Sequence, residues 1–129
     1  MNSIEDIAHD VIQAAFEAHK ILGPGLLESV YEEAHCKELE IRGIRYERQK
    51  GITVNYKGFE IKSQRIDLLV EECLVIEIKA VKEIEDVFIA QVLTYLKILK
   101  LTLGLVLNFN KPLLKHGIRR VILTPAKQQ

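Results

Sequence analysis

Three charged residues stand in runs that are otherwise aliphatic. The segment Arg65-Ile66-Asp67-Leu68-Leu69-Val70-Glu71-Glu72-Cys73-Leu74-Val75-Ile76-Glu77-Ile78-Lys79-Ala80 sets Asp67, Glu77 and Lys79 among Ile, Leu and Val. Residues 65–70 and 74–80 are the best strand candidates of the chain. Side chains alternate faces along a strand, so Glu77 and Lys79 point the same way. If the two strands form a hairpin with a 71–73 loop, residues whose numbers sum to 144 pair, and Asp67 lies opposite Glu77 on that same face. A slip of one residue would send Asp67 to the other side. The loop lacks the Gly usual in such turns, so sequence does not force this register. Two carboxylates and an ammonium on one face suit a divalent cation. Mg²⁺ takes hard oxygen ligands, commonly one or two carboxylates plus waters and substrate phosphate. A cation also relieves the repulsion between neighbouring acids, and the lysine is placed to hold or help deprotonate an attacking water. The competing reading is a structural ion-pair cluster in which Lys79 neutralises one acid. D-x9-E-x-K is a loose pattern, and spacing alone leaves both open.

Further polar residues add to the first reading. Gln91 lies in an apolar helix over 86–101, with Tyr95 one turn on, so both face one way. A Gln in such a helix needs a partner: backbone, water or ligand. Glu28 follows Gly23-Pro24-Gly25 near the start of another helix, with Tyr31 three residues later. Its plainest role is a first-turn acid favoured by the helix dipole.

Gly25-Leu26-Leu27-Glu28-Ser29-Val30-Tyr31 resembles G-x-x-E-x-x-Y, the motif that names the GxxExxY protein family. Asp67 with Glu77-x-Lys79 is similar to the PD-(D/E)XK nuclease superfamily, to which that family is assigned. Gln91-x-x-x-Tyr95 resembles the Q-x-x-x-Y motif of its exonuclease-like branches; Ile66 stands where Pro often precedes the aspartate. The likeness spans about residues 4–123. It implies a restriction-endonuclease-like α-β-β-β-α-β core, a mixed central sheet flanked by helices. It also implies Mg²⁺ (or Mn²⁺) held by Asp67, Glu77 and the backbone carbonyl of Ile78. Lys79 would position the nucleophilic water. Glu28 would complete the acidic cluster or hold a second ion, Gln91 would orient the lysine or a phosphate, and Tyr95 would support it. The implied reaction is phosphodiester hydrolysis of nucleic acid, DNA above all. A non-catalytic module that binds nucleic acid or protein is the alternative.

The elements that must carry these residues can be read from periodicity. Ile4, Ile7, Ala8, Val11, Ala15 and Ala18 recur at helical spacing, with Ser3 and Asp6 as a capping box and Gly23-Pro24 as the stop. A second helix runs over 26–42; its outer face, with Glu32, Glu33 and Lys37, reads as solvated. Strands are expected at 44–49, 52–56 and 59–62 before the two above. The helix over 86–101 is apolar nearly all round and should be largely buried. Strands at 102–109 and 118–123 flank the Asn110-Lys111-Pro112 turn, and the polar tail over 124–129 reads as frayed. The order α-α-β-β-β-β-α-β-β describes an α/β fold, and 129 residues make one domain.

Lys plus Arg number 18, as do Asp plus Glu, so net charge is zero and any polyanion must be met by local patches. Arg42, Arg45, Arg48 and Lys50 form one candidate patch; Lys111, Lys115, Arg119 and Arg120 form another. Little surface is left to hold a duplex, so a homodimer is expected to help. At 48% hydrophobic and 28% charged, disorder and disulfide scaffolds are excluded. MNSIEDIAHD has no signal-peptide pattern. The apolar run over 89–107 is broken by polar residues and is a poor membrane span, and Cys36 and Cys73 read as reduced thiols. The protein is therefore expected in the cytoplasm. His19 reads as a core residue and His35 as a candidate for the rim of the site. No zinc, P-loop or serine-nucleophile motif is present.

Overall fold

The structure, a computed structural model, describes residues 2–125. Positions 126–129 of the expected polar tail lie outside the described residues. Helix α1 (Ile4–Leu22) opens on the predicted capping box: Asp6 N–H donates to Ser3 Oγ, and Ser3 N–H to the Asp6 carboxylate. Its buried face is mostly alanine, which lets helix α2 (Glu28–Ile41) approach closely. Strands β1 (Tyr46–Tyr56), β2 (Phe59–Val70) and β3 (Leu74–Lys79) follow, then helix α3 (Asp86–Leu99), β4 (Leu103–Asn108), a short 3₁₀ turn (Leu114–Gly117) and β5 (Ile118–Ile122).

The five strands lie in the order β1-β2-β3-β4-β5. Only β3 and β4 pair in parallel, with α3 as their crossover. The sheet is mixed, and α2-β1-β2-β3-α3-β4 is the expected α-β-β-β-α-β core. One core packs α1 and α2 on the sheet, through Val11, Tyr31, Leu39, Ile76 and Phe109. The other packs α3 through Val92, Tyr95 and Leu96. Gly104 of β4 makes the second close: a Cβ there would lie 2.5 Å from Val92 Cγ1.

Three expectations are corrected. The strand segments expected at 44–49, 52–56, 59–62 and 65–70 join into two strands, β1 and β2, because Gly51 and Ser63-Gln64 mark a register shift inside one continuous pair rather than breaks. The 3₁₀ turn was not foreseen. Helix α3 buries only Val92, Tyr95 and Leu96, while Val87 and Ile98 remain exposed. An all-round apolar composition does not cover a helix when only one layer of sheet lies beneath it.

Candidate active site

The predicted register holds. Leu68 faces Ile76, Leu69 faces Val75 and Val70 faces Leu74. The turn between them uses left-handed backbone at Glu71 and Glu72 without glycine, and Arg45 binds the Glu71 carboxylate through its backbone N–H (2.9 Å) and guanidinium (3.0 Å). Beyond Leu68 the regular ladder stops and side chains replace backbone. Asp67 Oδ2 accepts the Ile78 N–H at 2.8 Å, and the Asp67 N–H donates to Glu77 Oε1 at 3.1 Å. The two acids therefore sit where β2 and β3 part.

Glu77 is buried and Asp67 half-buried. Burial, then the charge of Asp67, pushes the Glu77 carboxyl above the usual carboxylate range. Burial also raises Asp67, against the Ile78 N–H that favours its anion. Lys79 Nζ lies 3.9 Å from Glu77 Oε2 and 4.5 Å from the centre of the Phe88 ring. Phe88, Gln91 and Tyr95 share one stripe of α3. Tyr95 is buried; burial and then the Glu77 charge raise its phenol, while a hydrogen bond with Gln64 lowers it. Gln91 is half-buried with no hydrogen bond among the described residues, so of the expected partners water and ligand are the ones open to its amide.

Glu28 is the exposed first residue of α2, and its charge is felt at Glu77. The seven-residue motif around it has a mechanical basis. Tyr31 is fully buried and stacked on Phe109, with ring centroids 4.8 Å apart. Its hydroxyl donates to Gly23 O at 2.6 Å and accepts from Leu26 N–H at 3.0 Å. The tyrosine thus ties down the turn Gly23–Leu26 and fixes where Glu28 begins its helix.

Sequence reasoning missed Glu32 and Gln49. Glu32 was assigned to the solvated face of α2, yet it is 8% exposed and turned toward the sheet. It accepts from Arg48 Nε at 2.7 Å and from Gln49 Nε2 at 2.9 Å. Gln49 Nε2 also reaches Asp67 Oδ1 at 3.3 Å, from a backbone in the left-handed region (φ 55°). A polar chain Arg48–Glu32–Gln49–Asp67 thereby holds the first acid from behind. His35 is corrected as well: it is fully buried with Nε2 3.0 Å from Val11 O, far from any rim. His19 is buried as expected.

The basic patches are largely neutralised. Arg42, Arg45, Arg48 and Lys50 pair with Glu38, Glu71, Glu32 and Glu47; Lys111 and Arg120 pair with Glu83 and Glu5. Among the described residues no three His, Cys, Asp or Glu side chains converge on one point. Two crowded carboxylates, each disfavoured as an anion, are still a donor set that fits Mg²⁺, which completes its shell with water and phosphate. For Ile78 the structure engages the amide with Asp67.

Among the described residues no helix is long and apolar enough to cross a membrane, and Cys36 and Cys73 are both free. No curated protein and no solved structure matches the chain. A family model described as the PD-(D/E)XK nuclease superfamily matches residues 5–121. With the acids and the lysine grouped on a mixed sheet and that match covering nearly all the sequence, the chain belongs to the PD-(D/E)XK nuclease superfamily.

Proposed function

We propose that this protein is a metal-dependent nuclease that hydrolyses phosphodiester bonds, with DNA as its substrate and GxxExxY as its narrower family. The observation that carries this is the grouping of Asp67, Glu77 and Lys79 at the parting of β2 and β3. Superfamily members generally use divalent metals. Asp67, Glu77 and the carbonyl of Ile78 would hold Mg²⁺ or Mn²⁺, with Glu28 at the edge of the cluster. When bound, the ion would supply charge stabilisation at the phosphoryl oxygen and a lowered water pKa.

The chain's own residues do the rest. Asp67 is aimed by the Ile78 N–H and by Gln49, so its orientation is set before substrate arrives. Lys79 keeps its ammonium between Glu77 and the Phe88 ring, where it orients the attacking water and faces the phosphate. Gln91, half-exposed, offers its amide to a phosphate oxygen or to the lysine, and Tyr95 walls the acids from below. Cytoplasmic placement, one domain over 1–129 and a homodimer that widens the grip on substrate belong to the same reading.

The test is cleavage of plasmid, linear duplex and single-stranded DNA and RNA with Mg²⁺ or Mn²⁺, beside EDTA and Lys79→Ala controls. Metal-dependent cutting that vanishes in the variant is expected. A folded protein that cuts nothing would overturn the reading in favour of a binding module.

A further inference from the structure

Strands β1 and β2 run on past their contact with β3 as a bare two-stranded ribbon. From Thr53 to Arg65 every residue is exposed. Within it Val54 pairs with Ile61, and Tyr56 with Phe59. Alternation puts these four on one face, at 38%, 50%, 58% and 70% exposure. The tip is a tight turn at Lys57-Gly58, both with positive φ, braced by the Gly58 N–H on Asn55 Oδ1 at 3.0 Å. Between positions 50 and 65 the ribbon carries Lys50, Lys57, Lys62 and Arg65 against the single acid Glu60. Of these cations only Lys50 has an ion pair among the described residues. The chain as a whole is neutral and most of its other candidate cations are paired, so this excess is local.

We propose that the ribbon grips an unpaired nucleic-acid strand, with Tyr56 and Phe59 as base-stacking platforms on one face, Lys57 beside them at the tip, and Lys62 and Arg65, which pair with Thr53 and Gly51 on the opposite face, reaching the phosphates around the ribbon's edge. The inference rests on the nuclease reading of the site. Exposed aromatics on a narrow two-stranded ribbon that also carries unneutralised cations, Lys57 with its Nζ 5.6 Å from the centre of the Tyr56 ring, are what single strands bind, because every base offers a π-face. The ribbon also leads to the chemistry: Phe59 is eight residues before Asp67 on one strand, about 26 Å at roughly 3.3 Å per residue. The four apolar side chains expose on the order of 400 Å². That is about half of the roughly 800 Å² per partner that a stable dimer buries, so the patch fits a strand better than a second copy.

The test is fluorescence anisotropy in EDTA with labelled 30-nucleotide DNA and RNA strands and a 30-base-pair duplex. Tyr56→Ala/Phe59→Ala should weaken single-strand binding about tenfold or more and leave the duplex within about twofold. Tyr56→Trp/Phe59→Trp should retain binding. Lys57→Gln/Lys62→Gln should lower the slope of log K against log salt by about 1.4. The DNA and RNA arms show which strand is preferred. No single-strand binding by the wild type, unchanged binding by the alanine pair, or equal loss on the duplex would overturn the proposal. So would sedimentation showing a wild-type dimer that the alanine pair dissolves. Ribbon-dependent binding without cleavage in any metal keeps this proposal and removes the nuclease reading. Lys79-dependent cleavage with unaltered strand binding by the ribbon variants does the reverse.

Discussion

Asn108 ends β4 directly beside Lys79 in the parallel register. It is fully buried, and one amide serves three backbone groups. Oδ1 accepts from Val81 N–H at 3.0 Å and from Asn110 N–H at 3.2 Å, while Nδ2 donates to Val81 O at 2.9 Å. Asn108→Ala leaves two donors and one acceptor without partners. Each such group costs about 1–3 kcal/mol when water cannot replace the bond. With some of that recovered by solvent, the expected loss is about 3 kcal/mol, or roughly 10 °C in Tm for a chain of this size. Asn108→Asp keeps the two accepted bonds but sets an oxygen against the Val81 carbonyl, so it should lose at least as much at neutral pH. The Val81 clamp also fixes the chain just after Lys79, so cleavage by the folded alanine variant should fall roughly tenfold or more. Urea unfolding followed by circular dichroism measures the first effect, with m unchanged. A loss below about 1 kcal/mol in both variants would show that this amide does not hold the exit from β3, and the reasoning would fail.

Other expectations are simpler to state. Glu77→Gln should raise the Tm of the metal-free protein, because it removes a carboxyl that burial and Asp67 disfavour as an anion in the fold, and should abolish the shift produced by Mg²⁺; a lower Tm would mean that the Lys79 pair is structural. Gln49→Asn keeps a residue that tolerates left-handed backbone but shortens the reach to Asp67, so cleavage should drop about 10- to 100-fold with Tm little changed. Burial lowers His35 from 6.5 to about 4, so below pH 6.5 the unfolded chain takes up a proton that the folded one refuses. Stability is complete above pH 6.5 and declines by up to about 3 kcal/mol as pH falls to 4. Comparing urea midpoints at pH 7 and 4.5 in wild type and His35→Gln should show a smaller acid loss in the variant, and equal losses would refute the assignment.

The Asp67–Glu77 juxtaposition was legible because strand period and aliphatic burial both constrain a short hairpin. Lys79 followed from parity alone. Glu32 was not legible. On α2 it looks like Glu33, its solvent-facing neighbour, and only the return of β1, which brings Arg48 and Gln49 beneath it, distinguishes the two. Gln49 was hidden for a different reason, since its reach toward Asp67 depends on a left-handed backbone that no residue preference announces. Gly51 and Ser63-Gln64 carry ordinary turn composition, and sequence cannot separate a bulge from a break when the partner strand is unknown. The neutralised arginines teach the same point: four of the cations proposed to grip nucleic acid find their acids on other elements, at separations up to 115 residues.

Gly104 has no functional group, yet it governs the seat of the helix that carries Phe88, Gln91 and Tyr95. A methyl there collides with Val92, so Gly104→Ala must lift α3 and drag that stripe away from the acids. Val92→Ala alone opens a void in the same place. The two lesions are reciprocal: a population selected to regain cleavage after Gly104→Ala should recover suppressors at Val92, which is not itself a candidate site residue, and the double mutant should outperform either single one.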